Sequence, residues 1–400
     1  MIEDIIVRKV LDSRGNATVE AEVYTPTSFG RFSAPSGAST GEHEVQSFVQ
    51  KSAGKTVEIA NEKVIKGLIG MNVLDQEEID RKLHEIDGTE NFSGIGGNLA
   101  IAISIASAKA AASMLELPFY FYVGGRFARS LPLPLGNVLG GGRHAVGGTD
   151  IQEYLVVSMA PKFVDRAFGN ATVHKKVKEL LHKRFPDSAI GKGDEGAWVA
   201  KLGNEEALEL VKRACDEVGD ELGFGIKPSL DFAASEFYRD GKYHYKERDR
   251  NTEEQIEFVS ELVDKYSLYF VEDPLDENDF NGFAALTAQV GGKTLICGDD
   301  LFVTNKSRLI KGIELKAGNC ILIKPNQIGT LTETAQTVAL ATRNGYTTVI
   351  SHRSGETEDN AIAHLAVAFS CGGIKTGAVG GERIAKLNEL MRLEEDLYGE

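Results

Sequence analysis

The chain has 400 residues, enough for one large and one smaller domain, and its 42% hydrophobic and 26% charged content is typical of a globular protein. Its formal net charge of −15 excludes a general nucleic-acid-binding surface, because such a surface needs clustered lysine and arginine. No run approaches the ~18 consecutive apolar residues of a membrane-spanning helix.

The N-terminus, "MIEDIIVRKV", has early charges and lacks the apolar core of a signal peptide, so we expect a cytoplasmic protein. The alternation in "TVEAEVYT" (18–25) predicts a half-exposed strand, and a small-residue loop follows at 34–44. Residues 98–117 are apolar enough to predict a buried helix. Proline and glycine then break the pattern, which indicates an N-terminal domain over 1–127 and a second domain over 128–400.

From residue 222 onward, apolar strand-like runs alternate with helical stretches, and each run ends in a polar side chain. These ends are 23 to 41 residues apart, which fits the ~30 residues of one strand–helix unit in an eight-unit barrel. A closed barrel brings all of them to one mouth, whereas a doubly wound open sheet gathers consecutive ends less readily. The polar strand ends are Asp231, Glu272 with Asp273, Asp299 with Asp300, Lys324, His352 with Arg353, and Lys375.

Three of these strand ends carry the carboxylates Asp231, Glu272 and Asp299, which repel one another unless a cation lies between them. Ligation by oxygen alone favours Mg²⁺, Mn²⁺ or Ca²⁺ over zinc, and the alternative is three unrelated helix N-caps. Lys324 and Lys375 end two other strands. A partly desolvated lysine near another cation has a lowered pKa and can act as a base; the alternative is a lysine that extends to solvent.

Four further segments carry weaker signals. "GKGDEGAWV" (191–199) holds Glu195 in a glycine-flanked turn, and "RHAVGGTDIQEY" (143–154) offers a histidine and a glutamate in a glycine-rich loop. "GASTG" (37–41) is either a lid that carries an oxygen ligand or a flexible connection. "SHRSGETEDN" (351–360) lies between a strand and a helix, and it is compatible with an anion site, part of a hydrolytic triad or a solvated turn.

Nine segments closely resemble motifs of the enolase family, in order along the whole chain. The resemblance implies an α/β protein with a small N-terminal α+β domain followed by a C-terminal (β/α)8-type barrel of the enolase kind. It implies reversible dehydration of 2-phosphoglycerate to phosphoenolpyruvate, with two Mg²⁺ ions per active site, in a homo-oligomer that is a dimer or a ring of dimers. The segments are "LDSRGNATVE" (11–20), "SGASTGEHE" (36–44), "GDEG" (193–196), "SLDFAASEFY" (229–238), "VEDP" (271–274), "GDDLFVTN" (298–305), "LIKPNQIGTLTET" (322–334), "SHRSGETEDN" (351–360) and "IKTGAVGGERIAKLNEL" (374–390).

Carried over position by position, the resemblance implies a role for each site residue. The base must be neutral while the acid is protonated, so we expect Lys375 and the metals to lower the pKa of Lys324. We also expect the proximity of Glu153 to raise the pKa of one carboxyl of its pair with Glu195. The implied roles are Asp231, Glu272 and Asp299 for the first metal; Ser39 for the second; Lys324 as base; Glu195, with Glu153 beside it, as acid; Lys375 for the substrate carboxylate; Arg353 and Ser354 for the phosphate; His144 and His352 lining the pocket; and Gln152 and Asp300 in support.

Two rival functions remain at this point. A racemase or dehydratase of a non-phosphorylated acid is disfavoured by Arg353 and Ser354, and a non-enzymatic protein on the same fold is disfavoured because the catalytic positions are filled. Within the decapeptide, the carboxylates Glu356, Glu358 and Asp359 are expected in the first turn of the next helix, where they suit the positive end of the helix dipole.

Overall fold

The structure is a computed structural model that describes residues 1–37, 41–142, 145 and 147–399. Its helices are α1 (Ala53–Ile59), continued through a π-helical turn (Ala60–Val64) into α2 (Ile65–Leu68), α3 (Gln76–Asp87), α4 (Gly97–Met114), α5 (Phe119–Gly124), α6 (Phe163–Arg184), α7 (Asn204–Leu222), α8 (Thr252–Tyr266), α9 (Phe280–Val290), α10 (Lys306–Leu315), α11 (Pro325–Ile328), α12 (Leu331–Arg343), α13 (Ala361–Ala368) and α14 (Gly381–Tyr398). Its strands are β1 (Asp4–Leu11), β2 (Ala17–Tyr24), β3 (Phe29–Ser33), β4 (Leu133–Gly140), β5 (Glu153–Ser158), β6 (Gly191–Lys192), β7 (Trp198–Val199), β8 (Ile226–Asp231), β9 (Tyr238–Arg239), β10 (Lys242–His244), β11 (Asp249–Arg250), β12 (Phe270–Glu272), β13 (Leu295–Gly298), β14 (Cys320–Ile323), β15 (Thr347–Ser351) and β16 (Gly373–Lys375).

The N-terminal part is a three-stranded antiparallel sheet in the order β1–β2–β3. The sequence predicted a half-exposed β2, and this is wrong, because the central strand is buried along almost its whole length. Its acidic side chains, Glu20 and Glu22, are covered by arginines of the neighbouring strands: Arg8 donates to both, and Arg31 pairs with Glu22. Alternation in sequence marks the strand, but cross-strand partners decide its burial.

Helix α4 packs against this sheet, as the apolar pattern predicted. By length and composition α4 could cross a membrane, but 83% of its apolar window is buried inside the protein, as in the core helix of a folded domain. The contact between sheet and helix is close at Gly30 on β3, where an added Cβ atom would lie 2.1 Å from the carbonyl oxygen of Ala106. Only glycine allows the helix backbone to approach the sheet this closely.

The C-terminal part is a closed eight-stranded barrel, which confirms the predicted fold class. Its strand order is β4–β5–β8–β12–β13–β14–β15–β16, and β16 pairs with β4 to close it. All strands run parallel except β5, which is antiparallel to both of its neighbours. Because β5 is reversed, its first residue, Glu153, lies level with the last residue of β8, Asp231. One strand therefore brings its beginning to the mouth where the other strands end.

Buried side chains fill the barrel and the layer between its strands and the outer helices. All four cysteines are free and buried in this core.

Candidate active site

The barrel mouth brings together the strand ends that the sequence singled out. Asp231 ends β8 and lies in register with Glu272 at the end of β12. Asp299 directly follows β13, Lys324 follows β14, and Lys375 ends β16. Local sequence explains this placement: each strand is a short apolar run that is buried in the barrel, and its first polar residue falls where the strand leaves the core.

Most of these side chains line a cavity at the mouth. Among the described residues, seven carboxyl groups and three cationic groups face it, so negative charge is in excess. Confined in a buried site, such an excess raises carboxyl pKa values or attracts a cation. The carboxyl groups are Glu44, Glu153, Glu195, Asp231, Asp273, Asp299 and Asp300, and the cationic groups are Lys324, Arg353 and Lys375; Gln152, His352 and Ser354 also line the cavity.

Lys375 lies at the centre of the acidic cluster. Its Nζ is 2.8 Å from Oδ2 of Asp231, 2.8 Å from Oε2 of Glu272 and 3.3 Å from Oε2 of Glu153. Burial lowers the pKa of Lys375, but the surrounding carboxylates outweigh it and raise the pKa above its ordinary value. Burial, followed by the charge of Asp231, raises the pKa of Glu272 to about 8. One lysine therefore does not neutralise the cluster.

Lys324 pairs with Asp299, whose other oxygen accepts a hydrogen bond of 2.9 Å from Nε2 of Gln327. Burial lowers the pKa of Lys324, yet the attraction of Asp299 outweighs burial, and the pKa is raised. The predicted lowering of this pKa depends on bound metal ions as well as on Lys375, and it stays a prediction. A lysine that ion-pairs with a carboxylate holds its proton more tightly until another cation binds that carboxylate.

Glu195 lies in the turn between β6 and β7 and is 4% exposed. Its Oε2 accepts a hydrogen bond of 3.2 Å from Nδ2 of Asn137 and lies 3.5 Å from Nε2 of His352. Burial, followed by the charge of Glu195, raises the pKa of Glu153 well above its usual value, which confirms that one carboxyl of this pair is raised. Burial lowers the pKa of His352 to about 3, so this imidazole is neutral near pH 7.

Arg353 is held in a buried ion pair with Glu44, in which its Nη2 lies 3.0 Å from both carboxylate oxygens. Its Nη1 also donates to Oδ1 of Asn326 at 3.0 Å. Ser354 lines the same cavity, next to Arg353. The guanidinium is therefore positioned for an anion, and a carboxylate of the N-terminal part of the chain now binds it.

The carboxylates at the end of the decapeptide are not in the first helical turn, so that expectation is wrong. Helix α13 begins at Ala361, after all three. Asp359 accepts the Ala361 N–H at 2.7 Å and pairs with Lys109 of α4 at 2.8 Å. Glu356 is buried, 3.8 Å from Nζ of Lys386. Asp359 and Glu356 therefore connect this loop to α4 and α14, and Asp359 also accepts the first N–H of α13 from outside the helix.

Carboxylate geometry favours a cation bound on Asp299. Ligand atoms of Asp273, Asp299 and Asp300 lie within 4.8 Å of one another, a spacing that could hold a metal ion. Both oxygens of Asp273 already accept backbone N–H groups, from Asp299 at 2.9 Å and Asp300 at 2.8 Å, so Asp273 orients the strand end. The donors left in this group are oxygens of Asp299 and Asp300, and ligation by oxygen alone fits Mg²⁺.

Two predicted residues, Ser39 and His144, lie outside the described residues. Gln152 is in place, and its Nε2 lies 3.4 Å from Oδ2 of Asp231. The sequence reasoning gave no role to Glu44, Asn326 or Asn137, which contact Arg353 and Glu195. Glu44 and Asn326 both fall inside segments quoted for the family resemblance, and this was the only signal that could have marked them.

A closed barrel with an acidic mouth suited to a divalent cation defines a class of barrel enzymes. Family models identify the member of this class: the enolase N-terminal domain matches residues 2–123, and the enolase C-terminal TIM barrel domain matches residues 128–400. The chain belongs to the enolase family, and it is therefore a lyase, a phosphopyruvate hydratase.

Similar proteins cover almost the entire chain. The enolase of Methanothermobacter thermautotrophicus is 54% identical over 403 residues, 99% of this chain and 97% of that protein. The enolase of Archaeoglobus fulgidus is 54% identical over 396 residues, 99% of this chain and 97% of that protein. The enolase of Thermoplasma acidophilum is 49% identical over 396 residues, 99% of this chain and 98% of that protein.

Proposed function

We propose that the site dehydrates 2-phosphoglycerate to phosphoenolpyruvate reversibly, with Lys324 as the base, Glu195 as the acid and two Mg²⁺ ions per site. The observation that carries this proposal is the shared cavity. It brings together the buried Lys324, the neighbouring carboxyl groups Glu153 and Glu195, and Arg353, from segments far apart in sequence. Proton removal next to a carboxylate, loss of a hydroxyl group and phosphate binding each need one of these groups.

Lys324 takes the proton from the carbon next to the substrate carboxylate. The electron pair forms the carbon–carbon double bond as the bond from the neighbouring carbon to its hydroxyl oxygen breaks. Glu195 donates a proton to that oxygen, which leaves as water. Bound Mg²⁺ supplies positive charge where the substrate carboxylate gathers negative charge during proton removal. A lysine base with Mg²⁺ is the arrangement already described for enolase-superfamily sites.

The acid needs a proton at neutral pH, and the neighbourhood of Glu195 supports this. Burial, followed by repulsion from Glu195, raises the pKa of Glu153 well above its usual value, which favours a proton on this pair. Lys375 contacts Glu153 and is proposed to bind the substrate carboxylate. In this proposal Glu153 and Glu195 share one proton, and Glu195, which lies in the turn between β6 and β7, delivers it to the leaving hydroxyl group.

Binding roles complete the proposal. Arg353 and Ser354 bind the phosphate, and Lys375 binds the substrate carboxylate. Asp231, Glu272 and Asp299 hold one Mg²⁺, and Ser39 contributes to the second. Two contacts support these roles. Gln152 lies beside Asp231, and Arg353 binds the carboxylate of Glu44, which a phosphate could replace. His144 and His352 are proposed to line the substrate pocket.

The division into domains over 1–127 and 128–400 is also part of the proposal, and the extents of the two family models support it. The cytoplasmic location and the dimer or ring of dimers stay predictions from the sequence. Multi-angle light scattering at several protein concentrations measures the oligomer directly.

The test is an absorbance assay. Purified protein with 2-phosphoglycerate and Mg²⁺ should produce a conjugated enol product that absorbs in the ultraviolet, and a chelator should abolish the signal. Unphosphorylated glycerate serves as the control for the phosphate-binding role and should give no signal. Absence of product from the phosphorylated substrate, with Mg²⁺ in excess, would overturn the proposal.

A further inference from the structure

Arg383, in the first turn of α14, has a fully buried side chain directly behind the active site. Its Nη1 donates to the carbonyl oxygen of Arg353 at 2.6 Å, and its Nη2 donates to the carbonyl oxygens of Ser354 at 2.8 Å and Asp194 at 3.4 Å. These carbonyls belong to the phosphate-binding segment and to the turn that carries Glu195. One guanidinium therefore connects the backbones of two catalytic segments about 160 residues apart in sequence.

The loop that follows Lys375 encloses the stem of Arg383. Gly377 and Gly380 have positive φ angles, and a Cβ atom at either position would lie 3.2 or 3.1 Å from Cγ of Arg383. The same loop touches the turn that carries Glu195, since a Cβ on Gly196 would lie 2.7 Å from the carbonyl oxygen of Val379. The arginine is thus enclosed by three segments of the barrel mouth, and its position is fixed by packing as well as by hydrogen bonds.

The fourth contact of Arg383 decides the proton position on His352. Nη1 of Arg383 lies 2.8 Å from Nδ1 of the imidazole. A guanidinium has only donors, so Nδ1 must offer its lone pair. In the neutral ring the proton is then on Nε2, and that nitrogen is the one 3.5 Å from Oε2 of Glu195. The charged groups around the ring are Glu195, Arg383 and Lys375, and burial lowers the pKa of His352 to about 3, so the neutral form applies.

We propose that Arg383 is a positioning residue that fixes His352 as the Nε2–H tautomer, so that the histidine donates a hydrogen bond to Oε2 of Glu195. This proposal assumes the acid role of Glu195 in the proposed function. Asn137 donates to the same oxygen. A proton on Oε2 would oppose both donors, so the proton that Glu195 delivers is confined to Oε1. Arg383 therefore selects which oxygen of the acid carries the transferable proton, without touching substrate.

The direct test is long-range ¹H–¹⁵N NMR of the full-length protein with ¹⁵N-labelled histidine, recorded at pH 7.5. The His352→Gln variant assigns the signals by their disappearance. We expect a protonated Nε2 and an unprotonated Nδ1 for His352 in the wild-type protein. A proton on Nδ1, or a doubly protonated ring, would overturn the proposal. The spectrum needs no turnover, so its result is independent of whether 2-phosphoglycerate is the substrate.

Variants of Arg383 test whether this arginine fixes the tautomer of His352. Arg383→Gln should produce a mixture of His352 tautomers and lower kcat about 100-fold, the scale of a small misplacement of catalytic groups. Arg383→Lys, which retains a charged donor, should restore most of the Nε2–H tautomer. Arg250→Met is the matched control, because Arg250 is also buried, between Tyr245 and Phe258; its kcat and His352 spectrum should match wild type.

Two results decide against a role for Arg383 in the tautomer. An unchanged His352 spectrum in folded Arg383→Gln would show that other groups fix the proton. A loss of kcat in that variant with an unchanged spectrum would leave Arg383 a purely structural role and would also overturn the proposal. If Arg383→Gln does not fold, the test rests on two spectra. The proposal fails if the wild-type protein lacks the Nε2–H tautomer of His352, or if Arg383→Lys does not restore most of it.

Discussion

Binding of Mg²⁺ at pH 7 should release protons from the active site, and Glu272 sets a lower limit on their number. Burial and the charge of Asp231 raise the pKa of Glu272 to about 8. With that pKa the side chain is about 90% protonated at pH 7 and about 10% protonated at pH 9. A carboxylate must be ionised to bind a metal, so Glu272 should release about 0.9 proton at pH 7 and about 0.1 proton at pH 9.

Isothermal titration calorimetry in buffers of different ionisation enthalpy counts these protons. Glu272→Gln should reduce the release at pH 7 by about 0.9 proton, because the substituted amide has no proton to lose. Glu257→Gln, an exposed position on α8, removes a carboxylate away from the mouth and should leave the count unchanged. Release of no protons at pH 7, or equal release at pH 7 and pH 9, would refute the reasoning that the cluster lacks positive charge.

Three substitutions test the base, the anion site and the fold. Lys324→Ala should lower turnover about 10³-fold in the absorbance assay while Trp198 fluorescence stays native, because only the base is lost. Glu44→Gln removes the buried ion pair of Arg353 and should lower the free energy of unfolding by about 3 kcal/mol, and inorganic phosphate should raise Tm more in this variant than in wild type. Gly30→Ala should cost about 3 kcal/mol in denaturant unfolding, since its Cβ would overlap a backbone carbonyl.

Each substitution has a matched control. Lys293→Ala removes an exposed lysine and should retain full turnover, whereas retained turnover in Lys324→Ala would place the base elsewhere. For Glu44→Gln, an equal response of both proteins to phosphate would contradict competition for Arg353. Gly225→Ala adds a methyl group in open space and should change stability by less than about 0.5 kcal/mol; a similar small effect at Gly30 would contradict the close packing of α4.

Strand ends could be predicted from the sequence because two independent signals coincide there. Each apolar run indicates a buried strand, and the first polar residue after it marks the exit from the core. Parallel strands in a barrel bring those exits to one mouth, and Asp231, Glu272 and Asp299 lie at the ends of three neighbouring strands there. The burial of β2 could not be read in this way, because it depends on arginines of two other strands.

Pairings between distant segments could not be predicted. Arg353 and Glu44 are 309 residues apart in sequence, and no local pattern connects a strand end with a loop of the N-terminal part. Similarly, Asp359 was expected in the first turn of the following helix, yet it lies before the helix begins and pairs with Lys109 on α4. The sequence shows where the charged residues are, but their partners depend on which distant segments the fold brings together.

The closure of the barrel by β16 links the site to the order in which the chain is synthesised. Residues of β16 pair with β4 partners about 240 residues earlier, so closing the barrel requires a contact between strands far apart in sequence. A nascent chain that has not yet released β16 from the ribosome lacks Lys375, and its acidic strand ends have no central cation. The site is therefore complete only when the last barrel strand is in place, because that strand supplies the lysine at the centre of the acidic cluster.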